Sequence, residues 1–199
     1  MSIPAFVHAF KTFGYHAEVA DTVIDEEVPG RDGERLALVS AYVTAAATAH
    51  TLYLMYAEGT GSRNTTSAVA AAAQKVINVN DTPKSPAGDA AAANDIVAYK
   101  TSAGNWFFDT IASVSTKAIT MTTNVPTGGI DSGAQFLIFG IVGDGANFPL
   151  AIPASAQKIF GPGELVVVHP YSGEPFYVSD TNASNAGSID NLVFAYLGK

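Results

Sequence analysis

From Ile96 onward the chain alternates apolar and polar positions in short runs: DIVAYKT, WFFDTIASVST, KAITMTTNVP and GAQFLIFGIV. Between them stand Ser-Ala-Gly-Asn, a Thr-Lys pair, and a Pro and Gly segment. A period of two is the strand signature, because successive side chains of an extended backbone point to opposite faces. The style returns in ELVVVHP, EPFYVSD and NLVFAYLGK, with YSGE as a turn. The LVVVH run is apolar in both phases, which predicts a strand covered on both faces. Upstream, RLALVSAYVTAA and HTLYLMYAEG give two more strands, with Leu36, Leu38, Tyr42, Leu52, Leu54 and Tyr56 at inward positions.

Three stretches break this pattern. In SIPAFVHAFKTFG, Ser2 can cap, Pro4 fits a first turn, and Phe6, Phe10 and Phe13 recur at helical spacing before Gly14. This predicts a short helix with one aromatic side, packed either on the body of the protein or on a neighbouring subunit. Residues 21–35, DTVIDEEVPGRDGER, read as a solvated acidic link. In TGSRNTTSAVAAAAQKVINV the alanines allow one short helix, and NDTPKSPAGDAAAAND reads as an exposed loop.

These elements predict a mainly β fold. Residues 35–75 and 141–199 would form a β-sandwich or jelly-roll-like body, residues 76–140 a smaller barrel-like module, and residues 1–34 an N-terminal arm and linker. Two consecutive β-domains are the alternative arrangement, since strand pairing is not encoded in the pattern.

Composition narrows the classes of partner. The chain has 199 residues, 48% of them hydrophobic and only 14% charged, so Ser, Thr, Asn, Ala and Gly must cover much of its surface. Acidic residues outnumber basic ones 18 to 10, and the net charge of −8 would repel nucleic acid and anionic lipid. With no cysteine there is no disulfide and no thiolate metal site. The N-terminus lacks the pattern of a signal peptide, so a soluble protein that is not secreted by the usual route is expected.

Candidate chemistry is sparse. His8, His16, His50 and His169 form no ligand pair at the usual spacings, and His169, before Pro170, reads as structural. Ser62 sits in GTGSRN, which is not a nucleophile elbow, and there is no Walker loop. Asp25, Glu26, Glu27, Asp32 and Glu34 could supply a carboxylate pair, but a solvated linker accounts for them better. The DTNASNAGSID stretch has alternating oxygen-bearing residues yet departs from a calcium loop at Asn185 and Asn191. Trp106, Phe107 and Phe108 could form a sugar platform; alternation sends Trp106 and Phe108 to one face and Phe107 to the other, as in a core. No catalytic residue, metal or cofactor is expected.

Residues 93–140 resemble modules of tailed-bacteriophage structural proteins. The likeness lies in an entry strand, a turn, a strand ending at Ser113-Val114, an Ile-Thr-Met-Thr strand, then Pro126, Gly128, Gly129 and Gly133-Ala134 before a closing strand. Residues 172–199 are similar to virion β-proteins of the capsid decoration, or cement, type. The resemblance implies a non-catalytic homo-oligomer, commonly a trimer, on the capsid exterior that holds major capsid subunits together. It implies an arm that shares in the grip, which would give Phe6, Phe10 and Phe13 a role. The alternative is a carbohydrate-binding or host-adhesion module of a tail or fibre.

Overall fold

The computed structural model describes residues 7–16, 25–45, 47–143, 149–161, 167–180 and 189–198. Among them every regular element is a β-strand. The chain divides into two compact units, residues 1–56 with 141–199, and residues 57–140. The first unit opens with β1 (Val7–His16), β2 (Asp25–Val28), β3 (Arg35–Thr44) and β4 (His50–Tyr56). The second holds β5 (Arg63–Thr65), β6 (Val76–Asn78), β7 (Ile96–Lys100), β8 (Trp106–Ser115), β9 (Ala118–Met121) and β10 (Gln135–Ile138). The chain then returns through β11 (Gly140–Ile141), β12 (Leu150–Ile152), β13 (Gln157–Phe160), β14 (Val167–Val168), β15 (Phe176–Asp180) and β16 (Ile189–Leu197).

The first unit is a two-sheet sandwich. One sheet runs β1-β16-β3-β13, with β14 also on β3; the other runs β11-β4-β15-β2, with β12 also on β4. Leu36, Leu38, Ala41, Val43 and Phe194 of the first sheet share one core with Leu52, Leu54, Ile152, Phe176 and Val178 of the second. Burial of an aromatic or branched side chain here contributes about 1.5–3 kcal/mol. The β3 strand changes phase midway: β16 pairs Phe194 with Leu38 and Val193 with Ser40, so a bulge at Val39 adds one residue. One extra residue exchanges the two faces of a strand. Ala41 and Val43 therefore turn inward, and Tyr42, expected inward from simple alternation, is only half-buried.

The second unit closes on itself. Its sheet runs β5-β10-β7-β8-β9-β6, and the two end strands meet through a Thr66–Val79 bridge. The Ser67 N–H donates to the Asn78 carbonyl at 2.8 Å and the Asn80 N–H to the Thr65 carbonyl at 2.9 Å, so the edges of the sheet are joined. Closure removes open backbone groups that an edge would expose. Ile77, Tyr99, Ile111, Ile119, Met121 and Phe136 fill the interior, with the Tyr99 and Phe136 rings stacked at 6.1 Å.

The stretch VSTKAITMTTNVPTGG, residues 114–129, becomes the end of β8, a two-residue turn at Thr116-Lys117, β9 and a loop. Ile119 and Met121 are buried while Ala118 and Thr120 are half-buried, as alternation requires. Its one charge has a structural partner, since the Lys117 ammonium donates to the Asn80 carbonyl beside the seam. At the far end Gly129 has a φ of 74°, and a Cβ there would lie 2.7 Å from the Ala70 carbonyl oxygen.

Several sequence expectations are corrected. Residues 7–16 form a strand paired with β16, not a helix. Val, Phe, Thr, Gly, Tyr and His are all poor helix formers, and a ten-residue strand gains a ladder of backbone bonds that outweighs the aromatic spacing. Asp25–Val28 is an edge strand on β15 rather than part of a solvated link, held by Val28, which is fully buried. No helix forms across 60–79; β5 and β6 stand there, and the backbone at Ala73 has a φ of 66°. Residues 57–75, placed with the body on sequence alone, belong to the second unit, because β5 pairs with β10 and Ala70 with Ile130.

Candidate functional site

Polar and aromatic groups meet at the end of β14. The His169 N–H donates to the Leu36 carbonyl at 2.7 Å, extending the ladder along β3 by one residue. Pro170 then follows, and without an N–H it cannot continue the ladder. The chain turns out as Tyr171-Ser172-Gly173-Glu174-Pro175 before β15.

His169 straps this loop at both ends. Its side chain is buried, 1% exposed, against Phe176 at 4.6 Å and Tyr56 at 5.7 Å. Nδ1 accepts the Tyr171 N–H at 3.0 Å, and Nε2 lies 3.0 Å from the Pro175 carbonyl oxygen. In the neutral tautomer that carries its proton on Nε2, that proton is donated to Pro175 and Nδ1 is left to accept, although Nδ1 also lies 2.9 Å from the Tyr171 carbonyl oxygen. The loop is also seated from below: the Gly173 N–H donates to the Glu34 carbonyl at 2.8 Å. Gly30 passes so close that a Cβ on it would lie 2.1 Å from the Gly173 oxygen.

On this fixed loop Tyr171 is 40% exposed, its ring 5.8 Å from that of Tyr56 and tilted by 50°. Burial, and secondarily the nearby Tyr171, raises the Tyr56 hydroxyl above its ordinary pKa. Below, the Tyr196 hydroxyl donates to the Pro29 carbonyl at 2.8 Å, and the Arg31 guanidinium lies 5.1 Å from the centre of the Tyr196 ring. The arrangement can present two aromatic rings on a backbone that is held in place, suited to a flat apolar or CH-rich surface.

The residues singled out from sequence are scattered. Phe10 and Phe13 lie on β1 opposite Ala195 and Leu192, and their spacing of three puts the two positions in opposite strand phases; Phe6 lies outside the described residues. His8 and His16 are also on β1, and His50 opens β4. The carboxylate set is divided between β2 and the turn before β3, where Arg31 and Glu34 are 3.4 Å apart. In the 180–190 stretch, residues 181–188 lie outside the described residues. Among the described residues no three His, Asp or Glu side chains converge on a metal position.

In the second unit Phe107 packs on the core, 5.4 Å from Tyr99, and Trp106 and Phe108 take the other phase of β8. The Lys100 ammonium lies 5.0 Å from the centre of the Trp106 ring. Ser62 is fully buried; its hydroxyl donates to the Ile138 carbonyl at 2.7 Å and accepts the Glu58 N–H at 3.1 Å. It is a structural serine that ties the backbone at Glu58 to β10. The meeting of Tyr56, His169 and Tyr171 was not legible from sequence, since Tyr56 is more than a hundred positions from the other two; the only local signal was a Tyr between two prolines after an apolar strand.

No family model matches the chain, and no curated protein does. Two solved structures are weakly similar. VP17, a capsid protein of bacteriophage P23-77, aligns over 94% of this chain and 98% of its own at 13% identity, with a TM-score of 0.24. The VP16-VP17 complex, a complex of the two major capsid proteins of bacteriophage P23-77, aligns over 95% of this chain and 100% of that chain at 12% identity, with a TM-score of 0.23.

Proposed function

We propose that the chain is a virion structural protein that decorates the outside of a phage capsid, as a homo-oligomer of three chains that clamps neighbouring major capsid subunits. The observation that carries this reading is the folded form of residues 93–140. The residues that resemble phage structural modules form β7 to β10, four consecutive strands of a closed unit, and their Gly and Pro positions lie in its turns. The low charge of the chain also suits a protein with large protein contacts, whose buried centres are depleted of charge. Many copies on a lattice would give avidity without any single strong contact.

Light scattering on the eluting protein near neutral pH tests the oligomer, and a mass of three chains is expected. Cosedimentation with expanded capsids then tests the clamp; protein that stays in the supernatant at saturating concentration would rule decoration out. Phe6, Phe10 and Phe13 belong to this proposal as contact positions, of which Phe10 and Phe13 stand on the β1 strand rather than on a helix.

The pairing of the exposed Tyr171 with the half-buried Tyr56 favours a second reading, the carbohydrate-binding module. It is tested on a glycan array, where Tyr171→Ala should abolish any signal that the unaltered protein gives.

A further inference from the structure

His169 has hydrogen-bond partners for two charge states, and we infer that it is a proton-operated latch for the loop that displays Tyr171. The inference does not depend on the capsid reading. In the neutral state Nδ1 accepts the Tyr171 N–H at 3.0 Å, while Nε2–H donates to the Pro175 carbonyl. The carbonyl oxygen of the same residue, Tyr171, already lies 2.9 Å from Nδ1. Between an unprotonated Nδ1 and a carbonyl oxygen that contact is lone pair against lone pair, and it stores repulsion.

A proton added at Nδ1 reverses both contacts. The Tyr171 N–H loses its acceptor and is repelled, and the Tyr171 carbonyl becomes the acceptor of a charge-assisted bond. The imidazolium would then be held by two carbonyls, of Tyr171 and Pro175. The backbone at Tyr171 has to reorient to complete the change, which moves the ring of Tyr171 relative to Tyr56. The latch is local because Gly173 stays pinned to Glu34 on the far side of the loop.

The surroundings allow the proton to be the controlling variable. Among the described residues, the titratable groups in ring contact with His169 are the Tyr56 phenol on β4 and the Tyr171 phenol on the loop, with Glu174 three residues further along the chain. Phe176 on β15 and Leu36 on β3 bring no charge. The turn that receives Gly173 carries Arg31, Asp32 and Glu34, of which Arg31 and Glu34 pair with each other. Histidine is the side chain whose ordinary titration falls between about pH 5 and 8.

The test is a pH titration by NMR from 8 to 5 on the full chain, following the His169 ring and the Tyr171 amide together. The two are expected to move with one midpoint, with loss of ring contacts between Tyr171 and Tyr56. A His169 ring that titrates while the Tyr171 amide stays still would overturn the latch, as would a ring that does not titrate in the folded protein. His169→Gln can still hydrogen-bond but cannot gain the proton, so it should abolish the Tyr171 transition. Persistence of that transition in the variant would assign it to another group. Should His169→Gln fail to fold, the titration of the unaltered protein decides alone.

Discussion

At the scale of single residues, two side chains sit in places that work against stability. Tyr99 is fully buried in the interior of the second unit and, among the described residues, its hydroxyl has no hydrogen-bond partner. Removing an unpaired buried group while keeping the ring should leave Tyr99→Phe as stable as the parent or more stable, by up to about 1 kcal/mol in urea unfolding at pH 7. Burial, with the charge of Asp109 second, raises the pKa of this hydroxyl above its ordinary value. The folded protein therefore holds the proton more tightly than the unfolded chain. That contribution is complete below about pH 10 and is lost as pH rises through the folded value. Stability should fall in alkali, less steeply in Tyr99→Phe. Thr116 opens a two-residue hairpin turn with a φ of 56°, a left-handed conformation that a β-branched residue adopts only under strain. Thr116→Gly is expected to raise stability by about 1 kcal/mol, read as a shift of the denaturation midpoint.

At the scale of elements, packing decided what propensity left open. The aromatic spacing of residues 6–13 reads as a helix, yet β16 offers β1 a register from Val7↔Leu197 to His16↔Ile189, and the segment extends. The acidic run at 25–27 reads as solvent-exposed linker, and it becomes an edge strand because an edge needs one buried anchor, Val28, and tolerates charge elsewhere. A bulge in β3 moved Tyr42 out of the core, a local insertion that no periodicity count detects. The loop at 171–175 depends on the same kind of close fit. Gly30→Ala would place a Cβ against three backbone atoms of Gly173 and Glu174. Backbone cannot swing aside like a side chain, so a loss of about 1–3 kcal/mol is expected in thermal unfolding, together with a change in Tyr171 ring contacts.

For the whole molecule, two separate cores imply that damage should stay local. Phe136 belongs to the interior of residues 57–140 and Phe194 to that of the sandwich. Each truncation to Ala should cost about 3–5 kcal/mol in its own unit. Hydrogen exchange distinguishes the outcomes: Phe136→Ala should weaken protection chiefly within 57–140 and Phe194→Ala chiefly outside it. Equal loss everywhere in both variants would show a single cooperative unit instead.

What the order of residues determined by itself is the strand class and the position of most strands from 96 onward, because alternation with turn residues is a local property. It also determined low charge and the poverty of catalytic motifs. Tertiary structure alone decided the partners: which edge zips to which, that Thr66 meets Val79 to close the second unit, and that His169 lies between Tyr56 and Tyr171. Those contacts join positions far apart in the chain, and their free energy comes from burial and backbone pairing that exist only once the sheets have formed.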